Sequence, residues 1–120
     1  MELKSINFDE KFAMITECWS PKIVAGLDNY LVKIAKIEGH FTWHKHTDCD
    51  EIFMVHKGKM RIDFRDGSVE LGEGEMYVVP KGKEHKPFAE ELCEIILLER
   101  DDVVNTGDVT DEFTKKAEWI

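Results

Sequence analysis

WHKHTDCDE, residues 43–51, places two imidazoles one residue apart and a carboxylate five residues beyond the second. In extended chain successive side chains alternate faces, so His44 and His46 point the same way and lie close enough to share one ion. Glu51 adds an oxygen ligand to the two nitrogens. Taken alone, a histidine pair beside acidic residues is as readily a solvated face, so the reading turns on what the rest of the chain brings to it.

The 120 residues are 42% hydrophobic, enough for one core but not two, and the expectation is a single domain over 1–120. Twenty-five acidic and sixteen basic residues give a net charge of -9 with no Lys/Arg stripe to neutralise phosphates, which excludes nucleic acid and anionic membrane as partners. Glu2, Lys4, Asp9, Glu10 and Lys11 interrupt the first fifteen residues, so no apolar signal-peptide core is present there. The longest aliphatic run, Ile95 to Leu98, is far too short for a bilayer. A cytoplasmic protein is expected. Cys18, Cys49 and Cys93 are odd in number and lack CxxC spacing, so they read as reduced thiols, with Cys93 in the core.

Turn signals recur at Gly26–Asn29, Glu38-Gly39, Lys57-Gly58, Asp66-Gly67, Gly72–Gly74 and Pro80–Gly82. Between them lie short runs rich in β-branched and aromatic residues: 30–37, 52–55, 60–65, 76–79 and 93–98. Strands at this spacing, without helices to alternate with them, predict an all-β sandwich or barrel. Asp66-Gly67 is the clearest hairpin turn. Met60 to Arg65 alternates apolar and charged residues, as a half-buried strand does. Leu92 to Glu99 is almost continuously apolar, which predicts burial on both faces or a subunit contact. Phe12 to Thr16 reads as an edge strand.

Two glycine-bounded motifs then stand out: Gly39, His44, His46, Glu51 and Gly58 over 39–58, and Gly74, Pro80, Gly82 and His85 over 74–89. In their residue types and order they resemble the two motifs of the cupin superfamily. Four residues separate Gly39 from His44, one fewer than in the family, and Ala89 stands where the family has Asn. The first reads as a one-residue turn difference, and the second lies outside the ligand set. The resemblance implies a double-stranded β-helix, the jelly-roll barrel, flanked by N-terminal strands within 1–38 and a tail over 100–120. It also implies one divalent metal ion per chain, held by His44, His46, Glu51 and His85.

Three neutral imidazoles and one carboxylate suit Fe, Mn, Co, Ni, Cu or Zn and are too rich in nitrogen for Ca or Mg. If the ion takes six ligands, two positions stay open for a small-molecule ligand with adjacent oxygens. Short cupins of this kind are similar to the group labelled mannose-6-phosphate isomerase-like, but the extra domain of the full-length isomerases is missing and that activity is not carried over. Three functions remain: Lewis-acid, isomerase-like chemistry on a small sugar, keto or enol metabolite; Fe(II)-dependent dioxygenation; and ligand or metal sensing without turnover. Whether the protein is an enzyme is left open.

No unambiguous base is visible; Tyr77 and Glu94 are candidates by strand position only. His40 reads as a surface or hydrogen-bonded residue, His56 as facing away from the ion, Trp43 as packing, Cys49 as a loop thiol and Asn105–Asp108 as a turn. Some of Phe53, Phe64, Met76, Tyr77 and Ile95 must wall the pocket. A homodimer is expected, its edges covered by Leu92–Leu98 and the strand at Phe12–Thr16.

Overall fold

The alternation in Met60-Arg61-Ile62-Asp63-Phe64 becomes a strand whose residues are buried at every second position. The same rule builds most of the chain. The computed structural model describes residues 3–120. Its elements are α1 (Phe8–Ala13), β1 (Lys22–Leu27), β2 (Tyr30–His40), β3 (Glu51–Lys57), β4 (Met60–Phe64), β5 (Gly67–Leu71), β6 (Met76–Val79), β7 (His85–Arg100) and β8 (Glu118–Trp119). All the strand pairings are antiparallel except the short one between β1 and β8.

The 16-residue β7 organises the barrel. One edge of it pairs with β2 from Tyr30↔Arg100 to His40↔Phe88. Its other edge is divided, the His85–Phe88 half pairing with β4 and the Glu94–Leu98 half with β3. β4 continues to β5 and β3 to β6, so one eight-stranded sheet that branches at β7 curls around a single interior as a jelly roll. The nearly unbroken apolar run of β7 follows from this position: Cys93, Ile95 and Leu97 enter the main core with Ile37, Phe53 and Ile62, while Ile96 faces a second cluster outside the sheet.

That second cluster corrects one expectation. Residues 12–16 do not form a strand; Phe12 lies in α1, capped by the Asn7 side chain, which accepts from the Glu10 N–H at 2.9 Å. Phe8, Phe12 and Ile15 recur at helical spacing, and Phe12 and Ile15 are buried against Val24, Ile34 and Ile96. The hairpin turn is also displaced by one residue: Arg65 and Asp66 form it, and Gly67 already pairs with Phe64. No helix of the described residues is long and apolar enough to cross a membrane.

Candidate metal centre

His44 and His46 do not lie in a regular strand, as the alternation argument assumes. They sit in an extended segment after β2 whose bridge to the sheet is a reciprocal pair of backbone bonds, His44 N–H to His85 O at 3.0 Å and His85 N–H to His44 O at 2.8 Å. The alternation survives because the segment is pinned on both sides. The Pro80–Gly82 turn docks on one side, where the Gly82 N–H donates to His46 O at 2.7 Å and the Lys81 N–H to the Asp50 carboxylate at 2.8 Å. The tail holds the other side: the Asp108 N–H donates to Lys45 O at 3.1 Å, and the Lys45 N–H to the Asp108 carboxylate at 2.9 Å. Asn105–Asp108 is therefore a turn and also a clamp. Gly107 has φ +58, and a Cβ there would come within 2.2 Å of Lys45 O.

His44, His46, Glu51 and His85 are all buried, and each offers a ligand atom within 4.8 Å of the others. Glu51 Oε1 lies 3.3 Å from His46 Nε2 and 3.4 Å from His85 Nε2. Two atoms bound about 2.1 Å from one ion at tetrahedral or octahedral angles are about 3.0–3.4 Å apart, so the spacing fits. His44 and His85 each place Nδ1 2.9 Å from a carbonyl, of Thr42 and Lys83 respectively. A carbonyl only accepts, so each Nδ1 carries the proton and each Nε2 presents a lone pair. His46 Nε2, His85 Nε2 and Glu51 Oε1 are buried without a hydrogen-bond partner. Buried acceptors facing one another are unfavourable, and a cation between them removes the cost.

One wall of the site is absent from the sequence reading. Glu99 on β7 is 1% exposed, and Lys33 on β2 donates to its Oε1 at 2.8 Å in a pair almost sealed from solvent. Its Oε2 is buried without a hydrogen-bond partner, and Glu99 lines the same cavity as Glu51. Burial and the neighbouring Glu51 charge hold Glu99 well above the usual carboxylate range. For Glu51, burial opposes ionisation, but the polar groups around it, Glu99 and the His46 and His85 imidazoles, outweigh burial and hold its pKa well below that range.

His44, Glu51 and Glu99 open onto a cavity of about 40 Å³ whose other walls include Trp19, Ile37, Phe41, Phe53, Ile95 and Leu97. That is room for a few water-sized groups. Of the wall candidates, Phe53 and Ile95 line it; Phe64 packs beside His85, Tyr77 lies at the edge of the core, and Met76 is exposed. Neither candidate base reaches the cavity. Glu94 lies outside the barrel, its Oε1 4.0 Å from His56. His56 does face away, bonded to Asp9 and stacked on Phe12. His40 is exposed beside Lys86 and Phe88, Trp43 packs under the Arg65 guanidinium, and Cys49 is a buried loop thiol outside the ligand group.

Fold and cluster together define a jelly-roll barrel that could hold a metal ion near its centre. The family described as "Cupin domain" matches residues 30–98, more than half of the chain, and the protein belongs to that family. A cupin-2 domain containing protein from Shewanella frigidimarina is 48% identical, with 79% of this chain and 93% of that one covered at a TM-score of 0.78. "Uncharacterized protein YdbB" of Bacillus subtilis is 33% identical over 64 residues, 52% of this chain. SSO1533 of Saccharolobus solfataricus, named "Putative dioxygenase", is 25% identical over 93 residues, 76% of this chain. The chain spans 57% and 24% of the lengths of these last two.

Proposed function

We propose that the protein holds one divalent transition-metal ion at His44, His46, Glu51 and His85 and uses it on a small ligand with an apolar body and two adjacent oxygens. The observation that carries this reading is the convergence of four buried ligand atoms, three of them unpartnered, with His44 and Glu51 of the group opening onto a largely apolar cavity that Glu99 and Asn105 also line. A sugar needs several hydrogen-bonding groups for its hydroxyls, whereas the walls here are mostly Trp19, Phe41, Phe53, Ile95 and Leu97, and the Asn105 amide is already engaged by Phe113 O and the Lys115 N–H. The walls thus favour the dioxygenase reading over polyol isomerisation, and the name of the Saccharolobus relative points the same way. In this reading the metal is Fe(II), which would supply a site for the ligand and O2 together. The chain's own part is to keep the imidazoles neutral and oriented through the Thr42 and Lys83 carbonyls, and to exclude bulk water with the aromatic wall.

Lewis-acid conversion of a keto or enol compound is the second reading, since it needs the same ligands and tolerates the same walls. Elemental analysis of protein isolated from its own host separates the two: iron supports oxygen chemistry, while zinc, nickel or manganese moves the assignment to the Lewis acid. His46→Ala should lose stoichiometric metal and the metal-dependent rise in melting temperature while keeping its β-type circular dichroism. One ion per chain with unchanged affinity in that variant would overturn the ligand set. The proposal extends to a cytoplasmic homodimer. Three free thiols suit a reducing compartment. The edge strand β6 leaves Met76 and Val78 half exposed.

A further inference from the structure

Trp19 holds a backbone conformation that its residue type disfavours. Its φ is 59°, in the left-handed region where a bulky side chain is strained and glycine is not. Three contacts keep it there: the backbone N–H donates to Lys36 O at 2.9 Å, the indole Nε1–H donates to Glu38 O at 3.0 Å, and the ring stacks on Phe41 with centroids 4.7 Å apart. An indole retained where glycine would relieve the backbone points to a task for the side chain. Its position supplies one. The residues lining the cavity beside His44 and Glu51 are all buried except Trp19 and Asn105, which are half-buried and so stand between the cavity and solvent. Neither lies on a strand. The tail fixes Asn105, whose amide donates to Phe113 O at 2.8 Å and accepts from the Lys115 N–H at 3.0 Å, and the Phe113 ring meets the Trp19 indole edge-on at 6.2 Å.

We propose that Trp19 is the specificity-determining residue of this cavity and limits the ligand to a short aliphatic body carrying the two adjacent oxygens. This rests on the metal and ligand reading given above and narrows it. The cavity measures about 40 Å³, and since one water needs about 10–15 Å³ by that measure, it has room for about three water-sized groups. An α-hydroxy ketone of a few carbons suits such a space, and an aromatic diol does not. The walls on strands are not free to yield, because Ile37, Ile95 and Leu97 are tied into the ladder between β2 and β7. The indole is the one large wall side chain at the mouth. Its removal lengthens the cavity outward while leaving all four candidate metal ligands in place.

The probes are acetohydroxamate and benzohydroxamate, which present the same pair of adjacent oxygens and differ in carrying a methyl or a phenyl group. Each is titrated into the Co(II)-loaded full chain, whose visible absorption reports a change in the ligands of the metal. Wild type should bind acetohydroxamate at least about tenfold more tightly than benzohydroxamate. Trp19→Gly, which also suits the positive φ, should bind benzohydroxamate at least about tenfold more tightly than wild type does and acetohydroxamate within about threefold of it. Trp19→Phe keeps a ring over Phe41 and serves if the glycine variant does not fold; it should gain severalfold for benzohydroxamate alone. Circular dichroism and the Co(II) spectrum before probe is added check that fold and metal site are intact in each variant. A merely structural Trp19 would lower the melting temperature and move both affinities together or neither. Either pattern in a folded variant would overturn the inference, as would equal binding of the two probes by wild type. Absence of Co(II) binding by wild type, or of any spectral response to either probe, would overturn the metal and chelation reading and the inference with it.

Discussion

His44 is neutral in the ion-free barrel for a physical reason: burial, with His85 beside it, pushes its pKa from 6.5 to about 4. Between those values the unfolded chain takes up a proton that the folded one refuses. The stabilisation is therefore complete above pH 6.5, fades as the pH falls and is gone below about 4. The gap corresponds to about 3 kcal/mol. Urea melts of chelator-treated protein at pH 7 and pH 4.5 should show that decline, and His44→Gln should flatten it. At this scale the four candidate ligands were legible, because imidazole and carboxylate at fixed spacing from glycine and proline are a local pattern. Glu99 and Lys33 were not. Glu99 shares its parity with Cys93, Ile95 and Leu97, but in a continuous apolar run only the register of β7 against β2 tells which parity is inside.

Among the elements, the strands with alternating or β-branched residues appeared where their patterns placed them, and α1 did not. Residues 12–16 suit a strand by composition; the Asn7 cap and the Phe8, Phe12, Ile15 spacing settle the local choice, and packing on Ile34 and Ile96 stabilises it. The tail turn gives a sharper case. Its composition shows a turn, yet nothing local shows that it clamps a segment more than sixty residues earlier. Gly107→Ala should put a methyl group into the Lys45 carbonyl at a positive φ, lowering stability by at least about 2 kcal/mol and weakening metal binding as the histidine segment shifts. Gly72→Ala, with its nearest neighbour at 3.4 Å and no positive φ, should leave both nearly unchanged. Chemical denaturation and metal titration of the two variants provide the check.

For the whole molecule, apolar burial in two clusters holds the barrel without recourse to the four candidate ligands, so metal removal should leave it folded. At a thousandfold excess over Kd the ion should add about 4 kcal/mol, readable as a fall in melting temperature on chelation. The expected dimer needs a different surface from the one first inferred, because β7 is interior and residues 12–16 are not a strand. On β6 and its neighbours, Val78 pairs with Ile52 and Ile52 with Leu98, an apolar row continuous with an edge strand. Sedimentation at tens of micromolar should show a dimer, and Val78→Lys should shift it to monomer. The tail clamp also sets an order of events during synthesis. Asp108 follows Lys45 by 63 residues, roughly 3–13 seconds of translation at ordinary rates. His44 and His46 emerge first and wait, without their clamp or the His85 strand, until almost the whole barrel has been made. An ion held here would then be acquired only once that later stretch has been made, and the metal filling the site would be set by what the surrounding compartment supplies at that moment as well as by the donors that hold it.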